Sequence, residues 1–126
     1  MKFRTPLTRA RGLGSAKSGT THWWMQRVTA AALIPLSYWL IKLIDLGASA
    51  PYAETQAWLA APLNMVGVLA FIAAAFYHAG LGLRVVIEDY VGHEGCKIVS
   101  IWLVNLALVL LALTALLAVF RSIQVG

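Results

Sequence analysis

Residues 64–91 read NMVGVLAFIAAAFYHAGLGLRVVIEDYV. The run carries no charge before Arg84 and ends in a charged, aromatic tail, Glu88-Asp89-Tyr90. It belongs to a stretch of 29 residues, Thr55 to Leu83, without Asp, Glu, Lys or Arg. About 20 apolar residues suffice for a helix to cross the hydrocarbon core of a bilayer. The stretch therefore predicts a transmembrane helix, and one histidine, His78, lies inside it. An ionisable side chain at that depth is costly and marks a candidate functional residue. On a helix His78 shares its face with Ala74 and Gly82, four residues to either side. Such small residues clear a groove beside the imidazole, suited to close helix packing or to a flat ligand.

Two further spans flank this one. Residues 98–120 form a second uncharged run, 23 residues long. A third, about 24–46, keeps its charges, Arg27 and Lys42, near its ends, where long side chains can snorkel to the interface. With 60% hydrophobic and 12% charged residues in 126, the chain is too apolar for an ordinary soluble domain. The predicted fold is all-α: three transmembrane helices over about 24–46, 62–88 and 98–120, within a unit spanning 23–121. A basic arm, 1–22, precedes it and a short tail, 122–126, follows. No room is left for a soluble catalytic domain, so any chemistry must sit between helices or on a partner.

The net charge of +5 reflects topology rather than nucleic acid. Eight of the ten cations, Lys2, Arg4, Arg9, Arg11, Lys17, Arg27, Arg84 and Lys97, lie at the N-terminal end or around the second link; Lys42 and Arg121 lie at the opposite ends of the spans. The positive-inside rule then predicts a cytoplasmic N-terminus and a periplasmic C-terminus. The acid-free arm raises the question of a mitochondrial transit peptide, but Pro6, Gly12, Gly14 and Gly19 break any amphipathic helix there. A retained bacterial arm beside anionic lipid is the expectation. The lone Cys96 offers neither an internal disulfide nor a metal-site spacing.

In the first span, Trp23 and Trp24 are interfacial anchors. Arg27, about one turn deeper, fits either a snorkelling cation or a cation held for a carboxylate at the membrane edge. Pro35 should kink the helix near Ala31, with Thr29 and Ser37 partly satisfying the freed backbone groups. Tyr38 and Trp39, mid-span, are expected against another helix. The first link, 45–62, holds Tyr52 and Trp58 in a short interfacial turn and ends at Pro62, which fits a helix start. The second link is expected from about Glu88 to Cys96, with Gly92 and Gly95 breaking the chain. In the last span, Asn105 and Thr114 read as separate interhelical hydrogen bonds.

His78 precedes Arg84 by six residues, so it lies about 9 Å inside the membrane edge. A neutral imidazole there needs partners for its ring nitrogens. A hydrogen bond to a neighbouring helix and a metal or cofactor bond both satisfy that need. His22 and His93 lie near the surface, so a bis-histidine haem would draw its second ligand from another protein. Asp89, eleven residues on, returns to within about 20° of the same face, some 16 Å along the helix. Asp89 and Tyr90 fit a proton-delivery pair for a lipid-soluble substrate, or a solvated helix end with an interfacial tyrosine.

His78-Ala79-Gly80-Leu81-Gly82 followed by Asp89-Tyr90-Val91 resembles the H-x-x-x-G-(x)6-D-Y motif of the hydrophobic membrane anchor subunit of succinate dehydrogenase. The segment HWWMQRVTA, the chain length and the three spans are similar to that family as well. The resemblance implies that His78 is one axial ligand of haem b, opposite a histidine of a cytochrome b556 subunit, and that Arg27 lies near a haem propionate. It implies that Tyr90 hydrogen-bonds a ubiquinone carbonyl, supported by Asp89, and assigns His22 no firm role. The implied protein is a non-flavin subunit of succinate:quinone oxidoreductase in the tricarboxylic acid cycle. It has no independent catalytic activity and works with flavoprotein and iron–sulfur subunits in a bacterial inner membrane, in preference to a mitochondrial one. Two rivals share the sequence: an anchor of a fumarate reductase, and a cofactor-free structural or assembly membrane protein in which His78 is a packing residue.

Overall fold

The computed structural model describes residues 19–124. They form helices α1 (Gly19–Ser49), α2 (Tyr52–Ala60), α3 (Pro62–Tyr90) and α4 (Glu94–Gln124). Three of these, α1, α3 and α4, are long and apolar enough to cross a membrane. The basic arm lies outside the described residues up to position 18.

Local chemistry sets the boundaries. Ala61 is extended, φ −65° and ψ 128°, and Pro62 opens α3, because proline disfavours the helical region for the residue before it and sacrifices only an N–H that the first turn leaves unbonded. At the far end, Val91 returns to extended backbone and α4 begins at Glu94. Only Val91–His93 therefore link the two helices, a tighter turn than the expected Glu88–Cys96. Gly95 lies inside α4 rather than breaking it. Glu94 stands in the first turn of α4 and Arg121 in the last, both matched to the helix dipole.

Helix α3 is the hub. It packs against α1 on one side and α4 on the other, while α1 and α4 do not meet. The helices thus form an open layer, not a closed bundle. Most of the tight packing lies at the α2 end, where Leu59, Val68 and Val119 are buried with Trp39, Trp58 and Ile123 around them. Trp39 Nε1 donates to Asn64 Oδ1 at 3.3 Å, and Asn64 Nδ2 donates to the Trp58 carbonyl at 2.9 Å. The Trp39 indole lies directly on Gly67, where a Cβ would collide with the ring. Tyr52 and Gln56 both donate to the Ser122 carbonyl, tying α2 to the end of α4. Trp58 therefore packs into this cluster from a regular helix, not a turn.

Several polar groups settle locally. Ser37 Oγ donates to the Ile34 carbonyl at 2.6 Å and Thr29 Oγ1 contacts the Met25 and Gln26 carbonyls, so neither reaches the Ala31 carbonyl that Pro35 cannot serve. Thr114 donates to the Leu110 carbonyl of its own helix at 2.8 Å. This replaces the expected interhelical bond, since a threonine hydroxyl reaches the carbonyl four residues back without any second helix. Asn105 likewise has no interhelical hydrogen bond among the described residues; its Oδ1 faces Gly80 at van der Waals range.

Candidate functional site

The α1–α3 seam carries the polar residues. His22, Gln26 and Thr29 recur at i, i+4 and i+7, which stacks them on one face of α1. Across the seam they meet Arg84, Gly82 and His78 in reverse order, as antiparallel helices require. Arg84 Nη1 lies 3.2 Å from His22 Nε2. Guanidinium has donors only, so His22 must accept through Nε2. Arg84 Nε also donates to Glu88 Oε1 at 2.8 Å. A Cβ on Gly82 would stand 3.6 Å from Gln26 Nε2. Deepest in the seam, Thr29 Oγ1 lies 2.9 Å from His78 Nδ1. Thr29 is buried, with 8% of its surface exposed, and His78 is half-buried. His78 Nε2 has no hydrogen-bond partner among the described residues.

Between α3 and α4 a groove of about 400 Å³ opens, with the seam's His22 and Arg84 at its edge. Its walls are apolar, including Ala73, Phe76 and Leu108; His22, Tyr77, Arg84 and Asn105 are its polar members. His78 does not line it. A cavity of this kind suits an amphipathic molecule with an apolar body and an acceptor or anionic end. Gly80 borders it, and a Cβ there would meet Leu108 Cδ1 at an ordinary 3.5 Å. Neither Gly80 nor Gly82 is thus a close approach of two helices. Gly67 is the tightly covered glycine, and what covers it is the Trp39 side chain.

The remaining candidates stand apart from His78. Arg27 is exposed and stacks over the Trp23 ring at 5.3 Å, with no acidic partner among the described residues. Asp89 and Tyr90 end α3. Tyr90 is 85% exposed, and neither side chain is hydrogen-bonded within the described residues. No cluster of three or more His, Cys, Asp or Glu residues able to hold a metal ion occurs among them. Binding through one imidazole nitrogen asks less than such a cluster, and His78 Nε2 is without a hydrogen-bond partner among the described residues.

A family model, succinate dehydrogenase/fumarate reductase transmembrane subunit, matches residues 1–120. The chain belongs to that family. Among curated relatives, a Rickettsia conorii protein is 35% identical over 119 residues, covering 94% of each chain. A Rickettsia bellii protein is 36% identical over 118 residues with the same coverage. A Paracoccus denitrificans protein is 30% identical over 90 residues, 71% of this chain and 70% of its own. All three are named succinate dehydrogenase hydrophobic membrane anchor subunit. No solved structure gives a significant match. Like the family's transmembrane subunits, this chain is a multi-pass membrane protein.

Thr29, the His22–Arg84 pair and Gly67 were not picked out from the sequence as members of one seam. The His22-Gln26-Thr29 stripe was the available signal: three polar residues on one face at the start of an otherwise apolar helix.

Proposed function

We propose that this chain anchors a succinate–quinone oxidoreductase to the bacterial inner membrane, sharing a haem b with a cytochrome b subunit and helping to form a ubiquinone site. The observation that carries this reading is His78: an imidazole at membrane depth, bonded through one nitrogen, with the other unpartnered among the described residues. Two features support it. The open α1–α3–α4 layer leaves large apolar side chains such as Ile34 and Trp102 on its surface, which suits a second membrane subunit. The relatives' names support the succinate-oxidising direction over fumarate reduction.

In this reading His78 would hold the haem from this chain, and a residue of the partner subunit would complete its binding. Haem b, when bound, supplies a one-electron redox centre beside the quinone site. Arg27, without an acidic partner among the described residues, and the His22–Arg84 pair stand near one end of the seam, where propionates would find cations. Tyr90 donates to a quinone carbonyl and stabilises the negative charge that develops on that oxygen. Quinone reduction takes up two protons as well as two electrons, and Asp89, exposed at the helix end, can relay protons from water. The chain contributes binding and orientation; succinate chemistry belongs to the flavoprotein subunit, with electrons passing through the iron–sulfur subunit.

The test is spectroscopic. The complex purified through a tag on this chain should contain those three subunits and show a haem Soret band. His78→Ala should alter the haem's spectrum, potential or occupancy. A haem signal unchanged in all three respects would leave His78 as a packing residue.

A further inference from the structure

We propose that Thr29 is a positioning residue for His78: its hydroxyl fixes the imidazole as the Nδ1–H tautomer and so presents Nε2 unprotonated. This rests on the reading of His78 as an axial ligand and adds to it what sets the nitrogen's chemistry.

The argument is a count of hydrogens. Thr29 Oγ1 lies 2.7 Å from the Met25 carbonyl oxygen and 3.2 Å from that of Gln26. A carbonyl has no hydrogen to give, and two oxygens do not sit 2.7 Å apart unless one lies between them. The single hydroxyl hydrogen is therefore committed to the backbone of α1. Toward His78 Nδ1, at 2.9 Å, the hydroxyl has only lone pairs left. The hydrogen of that bond must come from the ring, so Nδ1 is the protonated nitrogen and Nε2 of the neutral imidazole carries the free lone pair. Which nitrogen binds a metal is set by the bond the other one makes.

Comparison within the chain separates this from ordinary helix chemistry. Ser37, Ser49, Thr114 and Ser122 also donate to carbonyls three or four residues back, at 2.6–2.8 Å. Each of those hydroxyls stops there. Among the described residues Thr29 alone goes on to a side chain of another helix, and it is the buried one. Its methyl adds stiffness, because a β-branched side chain has few rotamers in a helix. A ring N–H donated to a fixed acceptor also makes the opposite nitrogen more basic, and loss of such an outer partner typically weakens metal binding about 10–100-fold. More electron density at Nε2 favours ferric over ferrous iron, so the Thr29 bond should hold the potential down.

The experiment uses the whole complex in three variants, Thr29→Val, Thr29→Ser and His78→Ala, read by redox titration and by the low-spin electron paramagnetic resonance of the haem. Thr29→Val should shift the midpoint potential positive and move the g values, whereas Thr29→Ser, which keeps the hydroxyl, should match wild type. Should Thr29→Val block assembly, Thr29→Ala against Thr29→Ser carries the same comparison. If His78→Ala changes the haem while Thr29→Val does not, His78 is a ligand and the positioning role is overturned. If Thr29→Ser departs from wild type as far as Thr29→Val does, the effect does not follow the hydroxyl, which also overturns it. An unchanged haem in His78→Ala, or none in wild type, overturns the ligand reading first.

Discussion

The Trp39 indole lies flat enough on Gly67 that no side chain of any size fits between α1 and α3 at that point. Gly67→Ala should therefore push the ring aside or the helices apart. Overpacking of this kind costs about 1–3 kcal/mol. The thermal midpoint of the detergent-solubilised complex should drop, and Trp39→Leu in the same chain should restore part of the loss. A midpoint unchanged by Gly67→Ala would mean that the indole swings away freely.

Arg84 binds both Glu88 and His22, but the two partners should matter unequally. The Arg84–Glu88 pair is exposed, with 43% and 44% of the side chains accessible, and exposed pairs contribute less than about 1 kcal/mol. Glu88→Gln should leave stability nearly unchanged. Arg84→Leu removes the donor to His22 as well and alters the mouth of the α3–α4 groove, so it should lower stability or haem content further. Equal effects of the two substitutions would place the importance of Arg84 in the ion pair alone.

Tyr90→Phe removes one hydroxyl and keeps the ring. Because no hydrogen bond among the described residues depends on that hydroxyl, which is exposed, the substitution should not disturb the fold. The ratio of ubiquinone reduction to reduction of a soluble dye by succinate should fall about a hundredfold, the loss typical when a donor to developing negative charge is removed. An unaltered ratio would leave Tyr90 as an interfacial anchor.

Topology is open to a reporter test. The eight-to-two cation asymmetry predicts a cytoplasmic α3–α4 link and a periplasmic C-terminus. Phosphatase fused at Gly126 should be active and at Gly92 inactive; the opposite pattern would invert the chain in the membrane.

The helices were legible because each is written as a long uncharged run, and His78 stood out because it interrupts one. Partner choice was not legible. Asn105 and Thr114 look alike as polar residues in an apolar span, yet one borders a groove and the other bonds its own backbone. Thr29 looked like a local answer to Pro35, and its cross-helix bond depends on the rotation of α1 about its axis, which composition does not encode. Gly80 and Gly82 drew attention beside the histidine, while Gly67, isolated among bulky residues, is the one that the Trp39 side chain covers. Only the facing helix tells these glycines apart.

Seventeen residues separate His22 from Trp39, and the same number separate Gly67 from Arg84. The contacts at the two ends of the seam are thus struck in phase along about 25 Å of paired helix. A single residue inserted into α1 between Thr29 and Trp39 would turn one end by about 100° against the other. Either the indole would leave Gly67 or the hydroxyl would leave His78. The seam behaves as a vernier: the glycine at one end sets the angular position of the imidazole at the other. A length change between these contacts should therefore be tolerated only as whole turns matched in both α1 and α3, since a turn added to one helix alone shifts its end by about 5.4 Å, even at lipid-facing positions where any apolar residue would otherwise serve.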